Sequence, residues 1–169
     1  YKKSIKMDYN MKSKINQKIN NELKNKNILI TGGAGSLGIQ LTKRILEYPV
    51  KAVRVLDISE HALFSLGKEV KDKRLRLLLG SILDKERINL AGKNVDLIIH
   101  TAAIKNIEIS EFNPIETIDT NINGTVNMIK MATETKPKKF LNISTDKAAE
   151  PSTLYGTTKL LGGRLTSWS

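Results

Sequence analysis

The chain has 169 residues, enough for one ordinary domain with or without a tail, and a chain of that size hides roughly 70% of its unfolded surface. Its residues are 40% hydrophobic and 27% charged, a globular composition with no apolar run near the roughly 18 residues of a membrane span. The lack of cysteine excludes disulfides, a thiolate metal site and a cysteine nucleophile, and no metal-ligand set is read elsewhere.

The chain opens on YKKSIKMDYNMK. This segment has no apolar core, so no signal peptide and a cytoplasmic location are expected. The formal net charge is +11, and residues 1–26 hold eight Lys against Asp8 and Glu22, so over half of the excess sits in this basic arm. The remainder is only mildly basic and aromatic residues make up 5%. A phosphate-tracking face needs clustered cations and stacking needs exposed aromatics, so no nucleic-acid partner is expected. Met11, Ile15, Ile19 and Leu23 recur every fourth residue and share one helical face. Four apolar residues without a Trp or Phe anchor favour a helix resting on its own domain or on a neighbour, rather than contact with an anionic membrane surface.

From Asn27 short apolar runs alternate with helix-period stretches. NILIT (27–31) predicts a buried strand and is followed by a glycine-rich turn. Leu37 to Tyr48, with Leu41, Ile45 and Leu46 on one face, predicts a helix closed by Pro49. AVRVLD (52–57) predicts a second strand, and Ala62, Leu63, Leu66 and Val70 mark the next helix. LRLLL (75–79) is a third strand, with a short helix near Asp84–Leu90 and a fourth strand in VDLIIH (95–100). Ile118, Ile122, Val126 and Ile129 predict one long helix over 115–135. KFLNIS (139–144) is a fifth strand, and a last helix starts at Leu154. This alternation implies parallel βαβ units in a doubly wound α/β sheet, and right-handed crossovers favour the order 3-2-1-4-5. The expected organisation is an arm over 1–26 and a dinucleotide-binding domain over 27–169.

The first strand-to-helix turn is TGGAGSLG, with Gly32, Gly35 and Gly38 three apart. Glycine lets backbone approach a pyrophosphate without a Cβ in the way, and the following helix start, Ser36 and Leu37, aims free N–H groups at the phosphates. Asp57 ends the next strand, 19 residues after Gly38, where a carboxylate accepts hydrogen bonds from the adenosine ribose. It would repel a ribose 2′-phosphate, and Ile58, Ser59, Glu60 and His61 supply no Arg or Lys to receive one. NAD is therefore expected in preference to NADP.

TGGAGSLG, Asp57, HTAA (100–103), N-x-N-G-T (121–125) and Y-x-x-x-K (155–159) together resemble the extended short-chain dehydrogenase/reductase family, over nearly all of 27–169. The resemblance implies a Rossmann fold, NAD contacts from Ala102 and Ala103, and a nucleotide-sugar substrate. It casts Asn121 as the asparagine that fixes the active-site helix or a water. Many relatives carry an acid after the third strand to meet the adenine amino group; this chain has Gly80–Ser81, with Asp84 nearby.

Tyr155 and Lys159 stand one turn apart on the same helical face. A free phenol has a pKa near 10, and a nearby ammonium stabilises its phenolate, so Tyr155 could take a proton from a sugar hydroxyl. Thr145, with Ser144 as neighbour, sits where the family's hydroxyl residue holds the reacting oxygen.

The stretch STDKAAEPSTLYGTTK (144–159) resembles, more narrowly, the CapD-like polysaccharide biosynthesis proteins of the UDP-N-acetylglucosamine 4,6-dehydratase type. That resemblance makes Thr145, Asp146, Lys147, Tyr155 and Lys159 the catalytic set. After oxidation at C4 the C5 proton becomes acidic; Lys147, if partly neutral, could remove it, and Asp146, if kept protonated by burial, could donate to the leaving C6 oxygen. A nucleotide-sugar 4-epimerase and a non-catalytic NAD-binding module are the alternatives, and an Asp146–Lys147 pair across a solvated loop is the structural one. His100 is read as a satisfied structural histidine, and Lys105 as a contact to a substrate phosphate or hydroxyl. Relatives continue with a substrate domain, so the chain is expected to be the N-terminal part of such an enzyme, and a homo-oligomer is expected by analogy.

Overall fold

A computed structural model of the chain describes residues 14–169; Met11 and the rest of 1–13 lie outside the described residues. Five parallel strands, β1 (Asn27–Thr31), β2 (Ala52–Asp57), β3 (Leu75–Leu79), β4 (Leu97–His100) and β5 (Lys139–Asn142), form one sheet in the order β3-β2-β1-β4-β5. This is the predicted doubly wound order. The middle of the central strand is apolar: Ile28, Leu29 and Ile30 have no solvent exposure. Alternate residues of β1 serve different layers. Ile28 and Ile30 join Val53, Val55, Leu63 and Leu66 on one side of the sheet. Leu29 joins Leu56, Ile88, Ile98, Met128 and Met131 on the other. Burial on both faces is what a parallel sheet requires.

Helices follow each strand. The arm is helical over 14–23 (α1). Its Leu23 packs against the first core cluster, Glu22 pairs with Lys139 at 2.9 Å, and Asn16 meets the Tyr48 hydroxyl at 3.4 Å, while Ile15 is half exposed. The helix thus rests on its own domain. Next come α2 (Ser36–Leu46), α3 (Glu60–Glu69) and α4 (Lys85–Gly92). Ser59 caps α3 by accepting from the Ala62 N–H, and Asp84 caps α4 by accepting from the Arg87 N–H. Asp84 is thereby a structural cap.

The predicted long helix over 115–135 departs from expectation in two ways. A short helix, α5 (Ile107–Phe112), precedes it, and α6 (Pro114–Ile118) is joined to α7 (Gly124–Thr135) through a π-turn over Asp119–Asn123. The widened turn accommodates Asn121, whose side chain is committed to other elements instead of solvent. The apolar stripe that signalled the helix is also not its buried face. Thr117, Asn121, Gly124, Thr125, Met128 and Met131 point inward, while Ile118 stays 40% exposed. The last helix, α8, spans Leu154–Trp168 and is capped by the Thr153 hydroxyl, which accepts from the Gly156 N–H.

Candidate functional site

A cleft of about 450 Å³ runs across the carboxyl ends of all five strands, the place where open α/β sheets bind ligands. Gly80, Ser81 and Ile82 line one end, after β3; Ser144, Thr145, Tyr155 and Lys159 line the other, after β5 and on α8.

The centre of the cleft is backbone. Gly32 adopts φ +63°, and a Cβ there would stand 2.6 Å from the Ala102 Cα. The β1 and β4 chains approach so closely at this point that only glycine fits. A Cβ at Gly38 would overlap the Gly33 backbone, so the turn and α2 also close without one. Helix α2 starts at Gly35 with no side-chain cap and no acidic residue in its first turn. Its free N–H groups and positive dipole end face the cleft beside Ser36 and Leu37, a ready anion site. Asp57 lines the same wall. Its Oδ2 accepts from the Ala34 N–H and its Oδ1 from the Ser59 N–H, each at 3.0 Å. These two bonds orient the carboxylate and leave lone pairs on both oxygens for hydroxyl donors.

At the other end Tyr155 is half-buried and Lys159 is 8% exposed, and both line the cleft. Burial pushes the Lys159 ammonium below its ordinary pKa of 10.5. The Thr145 side chain accepts from the Lys147 N–H and donates to Asp146 Oδ1 at 3.0 Å. Asp146 and Lys147 form a single-turn helix over Asp146–Ala148 and pair with each other, Nζ to Oδ2 at 2.8 Å, with side chains 80% and 53% exposed. Neither lines the cleft. The expected burial of Asp146 and partial neutrality of Lys147 are not what this geometry holds. Hydrogen bonds from Lys147 and Thr145 lower the Asp146 carboxyl below its usual range, and the hydrogen bond to Asp146 raises Lys147. The arrangement is the solvated pair that the sequence left as the structural alternative, with Thr145 alone of the triplet facing the cleft.

Asn121, expected among the cofactor contacts, does not line the cleft either. It is buried behind the wall, where its Oδ1 accepts from the Ile104 N–H and its Nδ2 donates to the Ile104 carbonyl and to Thr158 Oγ1. Thr158 donates in turn to the Tyr155 carbonyl at 2.8 Å. A side chain so fully committed holds the β4 loop against α8, which is why its helix opens into a π-turn. His100 is fully buried between Thr31, 2.6 Å from Nδ1, and Thr125, 3.2 Å from Nε2. The expectation of a satisfied histidine holds.

Of the residues singled out in the sequence, Gly32, Gly35, Ser36, Leu37, Gly38, Asp57, Ala102, Ala103, Lys105, Thr145, Tyr155 and Lys159 line the cleft. The sequence reading missed Leu56, Ile82, Ile104, Thr120 and Ile143 on the walls, and also Thr101, although it lies within HTAA (100–103). Thr120 could have been found from its place beside N-x-N-G-T. It also missed Glu111, whose carboxylate accepts from the Leu154 N–H at the start of α8; nothing local signals a contact across 43 residues.

Comparison with known proteins adds to this geometry. The family model described as polysaccharide biosynthesis protein matches residues 28–168. A Methanocaldococcus jannaschii protein, described as an uncharacterized membrane protein, is 45% identical over 89% of this chain and 45% of its own length. The UDP-N-acetylglucosamine 4,6-dehydratase (inverting) of Campylobacter jejuni is 42% identical over 83% of this chain and 42% of its own. The X-ray structure of Pen from Bacillus thuringiensis superposes with a TM-score of 0.82 at 41% identity, covering 85% of this chain and 44% of that one. The chain thus spans less than half the length of each of these three proteins. Among the described residues no helix is long and apolar enough to cross a membrane.

Proposed function

The chain belongs to the polysaccharide biosynthesis protein family, and from that premise we propose that it is the NAD-binding part of a nucleotide-sugar-modifying enzyme, a 4,6-dehydratase that oxidises C4 of a UDP-N-acetylhexosamine and eliminates water from C5 and C6. One observation carries the reading. A single cleft joins an uncapped helix start and an oriented carboxylate to a hydroxyl, a phenol and a buried ammonium.

The residues fit a dinucleotide. A Cβ would fill the cradle at Gly32, the α2 N–H groups are free for a pyrophosphate, and Asp57 presents acceptors to ribose hydroxyls. The same carboxylate disfavours a 2′-phosphate, and no cation follows it before Lys68, which favours NAD over NADP. When bound, NAD would supply a hydride acceptor for C4 and, once reduced, the hydride that returns to C6 after water has left, so that the cofactor is regenerated.

The chain's own groups handle the protons. Tyr155 takes the proton of the sugar C4 hydroxyl, and the Lys159 ammonium, one helical turn away in a dry setting, stabilises the phenolate. The Thr145 hydroxyl, on turning its one proton from Asp146 Oδ1, donates to the reacting oxygen, and Lys105 offers a cation to the substrate. Elimination then needs a base for the C5 proton and an acid for the C6 oxygen. The Asp146–Lys147 pair holds the right groups with the proton on the wrong one. Moving one proton across the 2.8 Å bond from Nζ to Oδ2 yields a free amine and a carboxylic acid without changing net charge. Water favours the charged form of the exposed pair, and a substrate that covers it removes that water and favours the neutral form. Lys147 is then the C5 base and Asp146 the C6 acid.

The reading includes a cytoplasmic location and association with a second copy. Support for the latter is apolar surface on α5, α6 and α8, where Phe112, Ile115 and Trp168 are 85%, 65% and 85% exposed. To test the activity, the protein that carries this chain is incubated with UDP-N-acetylglucosamine and NAD and the product is weighed. Loss of one water, abolished by Lys147→Ala, is expected. An unchanged mass with a new sugar isomer would replace dehydration by 4-epimerisation.

A further inference from the structure

A buried histidine with both ring nitrogens engaged, between the strand that feeds the glycine turn and the helix behind the phenol, has no part in the proton steps above. Its partners decide its tautomer. The Thr125 hydroxyl donates its one proton to the Asn121 carbonyl at 2.7 Å, so toward His100 Nε2, at 3.2 Å, it can only accept. Nε2 must therefore carry the ring proton. Nδ1 is then a bare acceptor, and the Thr31 hydroxyl, 2.6 Å away, donates to it.

The bonds all run in one direction: Thr31 to His100, His100 to Thr125, and Thr125 to the Asn121 carbonyl in the π-turn. The Asn121 side chain continues to Thr158, which donates to the Tyr155 carbonyl. Thr31 immediately precedes Gly32. Five side chains thus join the turn that would hold the pyrophosphate to the helical turn that carries the phenol, through β1, β4, the π-turn and α8.

We propose that His100, as its Nε2–H tautomer, is a positioning residue that sets the register between the Gly32 turn and the Tyr155 turn, so that loss of its bond to Thr125 weakens dinucleotide binding. The inference rests on the cofactor reading above. Burial, with the Lys159 ammonium, pushes the ring's pKa down to about 3, so the ring stays neutral across the working range. Neutral imidazole is the only form that can accept from Thr31 and donate to Thr125 at once. A fixed donor–acceptor order suits positioning, because reversing any one hydroxyl leaves a buried group unpaired.

The test uses imidazole ¹⁵N NMR together with direct calorimetry of NAD binding, neither of which needs turnover. Wild type should show a protonated Nε2 and a bare Nδ1. Thr125→Val removes the acceptor for Nε2–H but leaves Thr31, whose oxygen can accept from Nδ1–H. The ring proton should therefore move to Nδ1, and NAD should bind about fivefold more weakly, the order of one hydrogen bond. Thr125→Ser should restore both signals. An Nδ1–H tautomer in wild type, or NAD affinity in Thr125→Val equal to wild type, overturns the proposal. A wild-type protein that shows the Nε2–H tautomer but binds no NAD would instead overturn the cofactor reading and the coupling with it. His100→Phe is avoided because it leaves two buried hydroxyls unpaired and tests folding instead.

Discussion

The glycine turn at the centre of the cleft and the triplet loop at one end are built by different means. At the glycine turn the geometry belongs to the backbone: a positive φ at Gly32, a strand-to-strand approach that excludes a Cβ, and an uncapped helix start. At the triplet loop the chemistry belongs to side chains, and two of the three are in water, paired only with each other. A binding cradle can be finished in advance, since N–H groups on a rigid turn have one state. An acid–base pair in water rests in its charged form, and its working form depends on what covers it. Lys159, on the Tyr155 side of the cleft, and His100, behind its lining, are both buried and both held away from their ordinary pKa.

The contrast can be broken first at its rigid end. Gly32→Ala forces a residue with a side chain into φ +63° and against the Ala102 backbone. Left-handed strain and overpacking together should cost about 3 kcal/mol of stability by urea titration and abolish measurable NAD binding. Retention of near wild-type binding would mean that the β1–β4 approach is soft.

The buried middle should show in the pH dependence. His100 has a folded pKa of about 3 against 6.5 for the free side chain, so between these values the unfolded chain binds the extra proton. Its stabilising effect is complete above pH 6.5 and is lost as pH falls toward 3. Urea titrations should give about 2–3 kcal/mol less stability at pH 4.5 than at 6.5. His100→Gln should remove that slope while lowering stability at every pH. Lys159 is also depressed, and the same rule says that stability should rise with pH just below 10.5, a rise that Lys159→Met lacks.

The smallest effect on stability is expected at the exposed end. Asp146→Asn and Lys147→Ala should leave the melting temperature unchanged, since solvent already screens the pair. In the protein that carries the chain, each should nonetheless cut turnover by about a hundredfold or more if the pair supplies the acid and the base. A clear drop in melting temperature would show that the pair serves the fold instead.

Much of this was legible in the residues. NILIT, AVRVLD and LRLLL declare strands by composition and length, although LRLLL at the sheet edge stays partly exposed, and their spacing leaves room only for crossover helices, so the parallel order follows from handedness. Gly32, Gly35, Gly38 and Asp57 could be placed on the cleft because each acts through local backbone or a strand end. The helix over 115–135 resisted the same treatment. Ile118, Ile122, Val126 and Ile129 keep the helical period, yet the buried side is Thr117, Asn121, Thr125 and Met128. Periodicity reports that a helix has two faces; which one turns inward depends on what waits there, and here polar partners on β4 and α8 take the polar face.

Local pattern, then, was enough to determine the strands, their order, the phosphate turn and the pairing of Tyr155 with Lys159 on one helical face, because each depends on neighbours within a few residues or on chain handedness. Only the tertiary structure decided protonation and partnership: that Lys159 is dry, that Asp146 and Lys147 are wet and paired, that Asn121 stands behind the wall, and that His100 joins two distant hydroxyls. Desolvation and hydrogen-bond direction are set by groups brought together across the chain, from Thr31 to Thr158, and no spacing along a sequence encodes how much water remains between them.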